Sequence, residues 1–412
     1  MVKRADRIAP AGPGARGGAA QPRLDAALLP AGLRDVLPPQ AAHEANIVER
    51  LVACFASHGY QRVKPPLIEF EESLLGGAIN ALATETFRLM DPVSQRMMGL
   101  RSDFTMQVAR IATARLRKAP RPLRLCYAGD VLRVRGAQLR PERQFTQIGF
   151  ELIGALGAAA DSEAVLLAAE ALQDLGIERL SVDLTSPALV PAVCRGLGVD
   201  VGRGPRSLRA ALDRKDAAAV AAAAGPHGRL FARLLGAAGP AKRALAALRG
   251  LDLPEAARAE ADRLHEVAGR VMEANRELPL TIDPVENRGF EYHTGVSFTL
   301  FAKGVRGELG SGGRYRAGLG ADEEGEPATG ATLYLETIVR ALPGPEEKPR
   351  LFLPLGVPPR VSRQLRADGW IVVAGLEPAA DARAEARRLG CSHVWLGGDI
   401  VAIAGASRPG RR

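Results

Sequence analysis

The sequence has little of what membrane proteins, disulfide-rich proteins and metalloproteins require. Only 4% of its 412 residues are aromatic, and its four cysteines lie far apart with no C-x-x-C pair. Such spacing indicates reduced thiols rather than a disulfide framework or a zinc site. No apolar run approaches the roughly 18 residues that a membrane span needs. We therefore predict a cytoplasmic protein without a metal site.

The usual signatures of nucleotide binding and nucleophilic catalysis are also missing. No P-loop occurs, and no G-x-G-x-x-G precedes a helix, so neither common phosphate-binding loop is present. The histidines are isolated in the chain, and no Ser/His/Asp or Cys/His arrangement can be argued. The sequence therefore predicts no catalytic residues and no bound cofactor.

The bulk composition is that of a globular protein with a basic surface. Apolar residues make up 47% of the chain and charged residues 25%, which is enough apolar material for a large core. The length suits about two to three domains. The net charge of +9 is spread over many arginines without a dense basic block. It fits either an Arg-rich background composition or attraction to a polyanion.

Composition shifts divide the chain into segments. Residues 1–24 are basic and lack an apolar segment, which predicts a disordered tail. An Ala/Leu/Arg-rich stretch, 185–275, predicts a helical insertion between the two parts of a discontinuous core, 25–184 and 276–345. Residues 350–406 alternate strand and helix patterns, as a small α/β unit does. The fold class predicted is α+β.

Local patterns place further elements. Apolar residues at helical spacing indicate helices, and runs of glycine indicate turns or the starts of new elements. The elements predicted in this way are a helix over 103–117, a helix over 161–175 with Asp161 or Ser162 as its N-cap, a turn at 311–313, and a helix from about Gly330.

Two strands, 124–134 and 143–153, are predicted to form an antiparallel hairpin with a long loop. Its sequence, L-R-V-R followed by R-Q-F-T-Q-I-G-F-E, resembles motif 2 of the class II aminoacyl-tRNA synthetases in its histidyl form. Two positions depart from that motif. Arg135 stands for a Glu, and Pro141 stands for an Arg that would face the nucleotide phosphates.

The segment 327–337, P-A-T-G-A-T-L-Y-L-E-T, resembles motif 3 of the same enzymes, which builds their ATP pocket. Tyr334 stands where the motif has its second Gly, and Thr337 stands where it has its closing Arg. A Gly lets backbone approach a ligand, and an Arg supplies a fixed positive charge for phosphates. The resemblance therefore implies a synthetase frame that has lost its ATP chemistry.

The amino-acid side of the resemblance is better kept. R-G-F-E-Y-H-T-G at 288–295, S-G-G-R-Y at 311–315 and R-S-D-F-T at 101–105 resemble segments peculiar to histidyl enzymes. The resemblance implies a histidine pocket with donor and acceptor types that suit a zwitterion carrying an imidazole. The candidate histidine-binding residues are Asp103, Thr105, Arg133, Gln147, Glu151, Arg288 and Tyr292.

The resemblance also implies a role for each part of this pocket. Asp103 and Thr105 would hold the α-amino group, Gln147 and Arg288 would lie at the carboxylate, and Glu151 would accept from the imidazole N–H. The family's Glu, Tyr and Asp are replaced by Asp103, His293 and Arg316, which implies modest affinity.

The resemblance covers about residues 25–345 and implies the class II antiparallel sheet flanked by helices. Pro66 and Glu69 occupy the positions of the motif 1 Pro and Glu, and because motif 1 is a dimer element, a self-dimer is implied. Residues 350–406 resemble a shortened anticodon-binding domain, so tRNA is an unlikely partner.

A synthetase frame without ATP residues is similar to one family, the regulatory subunits of ATP phosphoribosyltransferase. That resemblance implies a non-catalytic protein of the first step of histidine biosynthesis. It would activate a short-form catalytic subunit within a hetero-oligomer and contribute to allosteric feedback by histidine. A divergent histidyl-tRNA synthetase, favoured by Arg133 and Arg288, stays open as an alternative. An amino-acid-sensing or RNA-binding module is a weaker one, because aromatic and basic residues are not interleaved.

Overall fold

The architecture comes from a computed structural model. It describes residues 28–75, 80–136, 141–202, 204, 207–286, 293–318, 325–345 and 348–403. The predicted tail, residues 1–24, lies outside the described residues.

A nine-stranded mixed sheet forms the centre of the fold. Its strands, numbered in chain order and given in spatial order, are β1 (Gln61–Arg62), β5 (Leu123–Leu132), β6 (Gln144–Ile153), β12 (Glu326–Tyr334), β11 (Gly310–Ala317), β10 (Ser297–Ala302), β7 (Leu180–Thr185), β9 (Leu280–Ile282) and β8 (Gly239–Pro240). Neighbours are antiparallel except for the pairs β1–β5 and β7–β9. The predicted α+β class is confirmed, and β5 and β6 form the predicted hairpin.

Long helices cover the sheet and supply its core. They are α1 (Gln40–Ser57), α5 (Ala158–Asp174) and α11 (Glu255–Ala274). Apolar residues recur along α1 at helical spacing and are buried against the sheet and α5. Phe55 of α1 meets Phe150 of β6 edge to face, with ring centroids 4.9 Å apart. The core therefore joins the first helix to the centre of the sheet.

The segment predicted to be helical, 185–275, is largely so. Besides α11 it holds α6 (Leu189–Leu197), α7 (Leu208–Asp213), α8 (Ala217–Ala223), a 3₁₀ turn (Gly225–His227), α9 (Gly228–Gly236) and α10 (Ala241–Arg249). Side chains of Ser207 and Asp216 cap α7 and α8. The strand β8 also lies in this segment and pairs with β9, so the helical region is tied into the edge of the main sheet.

A small sheet stands beside the main one. Its three strands, in spatial order, are β2 (Ile68–Phe70), β4 (Met97–Leu100) and β3 (Arg88–Met90). Two short helices, α2 (Glu71–Leu75) and α3 (Asn80–Glu85), connect β2 to β3. Its first strand contains Glu69, which occupies the position of the motif 1 Glu.

The C-terminal part has its own four-stranded sheet. Its elements are β13 (Arg350–Leu353), α13 (Pro359–Ala367), β14 (Ile371–Ala374), α14 (Ala382–Arg388), β15 (His393–Leu396) and β16 (Asp399–Ala402). The strand order is β14–β13–β15–β16, and β13 is parallel to both of its neighbours. The division of the chain into domains at the predicted boundaries stays a prediction.

The cysteines and helices of the described chain bear on two further predictions. All four cysteines are free thiols, as the sequence indicates. Among the described residues, no helix combines the length and the apolar character that crossing a membrane requires. The cytoplasmic location stays a prediction.

Two predictions based on glycine are wrong. Residues 311–313 are not a turn but lie within β11, and Gly330 lies within β12 rather than at the start of a helix, because α12 (Leu335–Ala341) begins only after Tyr334. The reason is close packing between strands. A Cβ on Gly312 would lie 2.2 Å from the carbonyl oxygen of Gly330.

Two helix predictions also need correction. The helix predicted over 103–117 is α4 (Thr105–Arg110) followed by one π-helical stretch (Ile111–Arg115). The helix predicted from residue 161 begins at Ala158, after Gly157 with its φ of 90°. Asp161 is therefore inside the helix, and its carboxylate serves another purpose.

That purpose is a buried ion pair between α5 and β11. Nε of Arg314 donates to Oδ1 of Asp161 at 2.8 Å, and the side chains are only 5% and 3% exposed. The same guanidinium donates to the carbonyl oxygens of Ala155 and Gly157, at 2.9 and 3.1 Å. The guanidinium of Arg314 therefore fixes the loop that enters α5 to the sheet.

Removing one member of this pair should be strongly destabilising. We expect Asp161→Asn to lower the free energy of unfolding by about 3–5 kcal/mol, because a buried guanidinium loses its counter-charge. Urea denaturation at fixed protein concentration measures the loss. Glu266→Gln, which breaks the exposed Glu266–Arg270 pair on α11, is the control and should change little. Equal losses in the two variants would contradict the structural role given to Asp161.

Candidate functional site

A cavity of about 110 Å³ opens where the segment before α4 meets the centre of the main sheet. Polar groups and small residues line it, and the strands β6, β11 and β12 supply its floor. The lining residues are Asp103, Thr105, Arg133, Glu151, His293, Glu308, Ser311, Gly312, Gly313, Tyr315, Gly330, Ala331, Thr332 and Tyr334. The structure thus brings together four of the seven candidate residues, Asp103, Thr105, Arg133 and Glu151.

Glu151 is the buried acid of this cavity, with 2% of its surface exposed. It faces Gly330 across the β6–β12 pair, where a Cβ would lie 2.1 Å from its Oε2. The hydroxyl of Tyr315 donates to that same oxygen at 3.0 Å. Gly330 is therefore the residue that leaves room for the carboxyl group, which explains a glycine in the middle of a strand.

The protonation of Glu151 is set by burial. Burial raises the pKa of Glu151 to about 8, hydrogen bonds from Tyr315 and Thr105 oppose the rise, and the negative charge of Asp103 adds to it. At neutral pH the group is therefore mostly a neutral carboxyl. The neutral group can donate through its O–H and accept through its other oxygen, whereas the ionised group only accepts and does so more strongly.

Asp103 is held in place by its own loop and by Gln147. The backbone N–H of Thr105 donates to Oδ1 of Asp103 at 2.8 Å, and Nε2 of Gln147 donates to Oδ2 at 2.9 Å. The oxygen of the Gln147 amide accepts from the backbone N–H of Phe104 at 3.2 Å. Gln147 is not among the cavity's lining residues. In this structure its amide supports the Asp103 loop.

Arg133 brings a positive charge to the cavity. Its Nε lies 3.4 Å from both Oε2 of Glu85 and the carbonyl oxygen of Ser102. Its guanidinium carbon is 5.1 Å from the ring centroid of Phe145. Asp103 and Arg133 thus give the cavity a carboxylate and a guanidinium, the pair of charges that an amino-acid zwitterion needs.

The third candidate region is only partly described. His293 lines the cavity, and burial lowers the pKa of its imidazole to about 4, so the ring is neutral. Arg288 and Tyr292, two of the predicted histidine-binding residues, lie outside the described residues. Tyr315 was given no role from the sequence. The only signal was its place at the end of the G-G-R-Y segment.

Tyr334, at the position of the second Gly of motif 3, lines the cavity with an aromatic ring. Tyr334 is 5% exposed, its hydroxyl lies 3.1 Å from that of Ser311, and its ring meets Phe145 edge to face at 6.4 Å. Thr337 is buried in α12 and its hydroxyl accepts from Nη2 of Arg340 at 3.1 Å. The two residues that depart from motif 3 are therefore both buried and both make polar contacts within the core.

Comparison with known proteins agrees with this fold. A family model described as histidyl-tRNA synthetase matches residues 32–338. A curated protein of Rhodospirillum centenum named ATP phosphoribosyltransferase regulatory subunit is 59% identical over 92% of this chain and 96% of its own length. A protein of the same name from Paramagnetospirillum magneticum is 59% identical over 89% of the chain and 95% of its own length.

A solved structure from Bacillus halodurans is also similar. It is described as an ATP phosphoribosyltransferase regulatory subunit/histidyl-tRNA synthetase and has a TM-score of 0.75 at 26% identity, covering 89% of this chain and 97% of its own. The predicted class II synthetase-like fold is confirmed by this likeness and by the family model. The chain therefore belongs to the family of ATP phosphoribosyltransferase regulatory subunits, which is built on a histidyl-tRNA synthetase-like fold.

Proposed function

We propose that this chain is the non-catalytic regulatory subunit of an ATP phosphoribosyltransferase, acting in the first step of histidine biosynthesis. The observation that carries the proposal is the cavity itself. Its amino-acid side keeps a buried acid, a carboxylate and an arginine, whereas Tyr334 closes its nucleotide side. The names of the relatives that are 59% identical support the same conclusion.

The loss of nucleotide chemistry argues against aminoacylation. Motif 3 loses a glycine to Tyr334 and an arginine to Thr337, and motif 2 loses a second arginine to Pro141. Losing even one transition-state contact typically costs about 3 kcal/mol in activation free energy. Several losses at the phosphates together make adenylate formation untenable. This chain shares the fold of the histidyl-tRNA synthetases, but the fold alone does not indicate aminoacylation.

We infer that histidine is an effector and that it binds in this cavity. Asp103 would take the α-amino group, and Arg133 together with Arg288 would face the carboxylate. Glu151 would meet the imidazole after giving up its proton. The cavity contains both charges that the zwitterion requires, and its polar groups are already positioned by Tyr315 and Gln147. Feedback would then follow from a coupling free energy between this site and the partner's active site.

The proposed partner is a short-form catalytic subunit that supplies the sites for ATP and phosphoribosyl pyrophosphate. A self-dimer through the motif 1 region would present it with two equivalent docking faces. Support for the dimer comes from the small sheet and the segments around it, where apolar side chains are exposed. The most exposed of them are Leu67, Ile68, Met90, Val93 and Met97.

The proposal requires that the chain does not activate histidine. In ATP–pyrophosphate exchange with histidine and magnesium, we expect a rate at least about 10³-fold below that of a true histidyl-tRNA synthetase. The reason is the missing phosphate-facing arginines and the ring of Tyr334. A genuine synthetase measured in parallel is the positive control. Exchange at a normal synthetase rate would show that the chain is a divergent synthetase instead.

Activation of the partner is the second requirement. Mixing the purified short-form subunit with this chain should give one larger species on size exclusion and increase phosphoribosyl-ATP formation. A coupling of 1–3 kcal/mol corresponds to an increase of roughly 5–150-fold. The catalytic subunit alone is the control. If it is equally active without this chain, and no complex forms at micromolar concentration, the regulatory role is refuted.

Histidine binding should depend on the ionisation of Glu151. Because burial holds the pKa of Glu151 at about 8, the carboxylate that accepts the imidazole N–H forms only as the pH rises. Affinity measured by calorimetry should therefore increase between pH 7 and 8.5, by up to about eightfold if only the ionised group accepts from the imidazole.

Glu151→Gln is the matched control for that titration, because it keeps the shape of the side chain and removes its ionisation. This variant should bind more weakly and retain only the pH dependence of histidine itself. Arg288→Ala should also weaken binding. Unchanged binding in both variants would place the effector outside this cavity.

A further inference from the structure

Three metal-ligating side chains meet on the outer surface, where α1 and α5 lie side by side. They are Cys54 near the end of α1, His58 directly after that helix, and Glu170 on α5. One ligand atom of each lies within 4.8 Å of the other two. Nε2 of His58 is already 3.1 Å from Oε1 of Glu170. None of the three takes part in the cavity described above.

We propose that Cys54, His58 and Glu170 bind one Zn²⁺ ion, with solvent in the fourth position, and that the ion joins α1 to α5. Thiolate, imidazole and carboxylate are the ligands that Zn²⁺ takes in proteins. A thiolate in the set disfavours Mg²⁺ and Ca²⁺, which prefer oxygen ligands.

The geometry is close to what tetrahedral coordination needs. With metal–ligand bonds of about 2.0–2.3 Å, neighbouring ligand atoms stand about 3.3–3.6 Å apart. The observed separations, up to 4.8 Å, would need a contraction of roughly 1 Å. Two of the three side chains can move, since His58 is 35% exposed and Glu170 is 51% exposed. The helices can stay where they are, and the ion has access from solvent.

Electrostatics also favour a cation here. The site lies at the C-terminal ends of both helices, where backbone carbonyls carry partial negative charge. Asp174, the last residue of α5, adds a carboxylate that accepts a hydrogen bond from the Cys54 thiol. Against this stands Arg50, whose Nη2 donates to the carbonyl oxygen of Asp174 at 2.5 Å. The two carboxylates, those of Glu170 and Asp174, carry more charge than the guanidinium of Arg50.

Binding must displace the thiol proton. Burial, reinforced by the charges of Asp174 and Glu170, raises the pKa of Cys54 to about 11. The metal-free protein therefore holds a thiol, and coordination releases one proton to solvent as the S–Zn bond forms.

The three ligands do not follow the spacing of any known metal-binding motif, so no metal site is predicted from the sequence. Cys54 and His58 are separated by one helical turn, and that pair alone carries little information. The third ligand is 112 residues away from His58. Only the packing of α1 against α5 brings it to the other two.

The test uses the full-length untagged chain, reduced, stripped with a chelator and titrated with Co²⁺ and then with Zn²⁺. We expect one equivalent of Co²⁺ to give a near-ultraviolet thiolate-to-metal band and visible bands of tetrahedral type, both removed by one equivalent of Zn²⁺. Zn²⁺ should also raise the midpoint of thermal unfolding. Cys54→Ser should abolish the near-ultraviolet band. The affinity of Cys54→Ser for Zn²⁺ should fall by more than the roughly 10–100-fold that is typical when a residue beyond the direct ligands is changed.

Controls separate the site from adventitious binding. Glu170→Gln, at an exposed position that tolerates change, should weaken zinc binding and remove the thermal shift without altering the metal-free midpoint. His227→Gln changes an imidazole on another part of the surface and should leave binding as in the wild type. If Co²⁺ gives no thiolate band, or if Cys54→Ser and the wild type bind zinc equally, the site does not exist.

Discussion

Arg314 and Asp161 form the contact on which the rest of the core depends. Their buried pair joins β11 of the main sheet to α5, and the same guanidinium holds the carbonyl groups of the loop that enters this helix. Because α5 also packs against α1, the position of the first helix follows from that of the second. The Arg314–Asp161 pair therefore helps to position both the floor of the cavity and the outer surface formed by α1 and α5.

The cavity shows how a synthetase frame can lose a reaction and keep a pocket. Gly330 leaves the space that Glu151 occupies, and Tyr334, four residues along the same strand, fills the space beyond it. One strand therefore leaves room for the Glu151 carboxyl group at one position and places an aromatic ring in the cavity at another. The ring of Tyr334 is itself part of the core, since it packs against Phe145 and its hydroxyl lies within hydrogen-bond distance of that of Ser311.

Much of the fold could be predicted, since the α+β class, the β5–β6 hairpin and the helical character of 185–275 follow from apolar spacing and from motif order. The two wrong predictions based on glycine share one cause. The glycines at 311–313 and at 330 predict a turn and the start of a helix. Both positions lie within strands, where glycine lets neighbouring strands approach closely. For the site, the motifs predict the type of pocket and its candidate residues. Contacts between distant residues, such as that of Tyr315 with Glu151, carry no local signal in the sequence.

The place of the cavity within the sheet limits how it can open. Its floor is made by β6, β11 and β12, and each of these strands has a hydrogen-bonded neighbour on both sides. Their amides should be among the slowest in the molecule to exchange with deuterium, because exposing them requires breaking a central ladder. The floor is therefore a rigid plate. A ligand must therefore enter from the side of the cavity that faces away from the strands, and the pocket can adapt to it only through the side chains that line it.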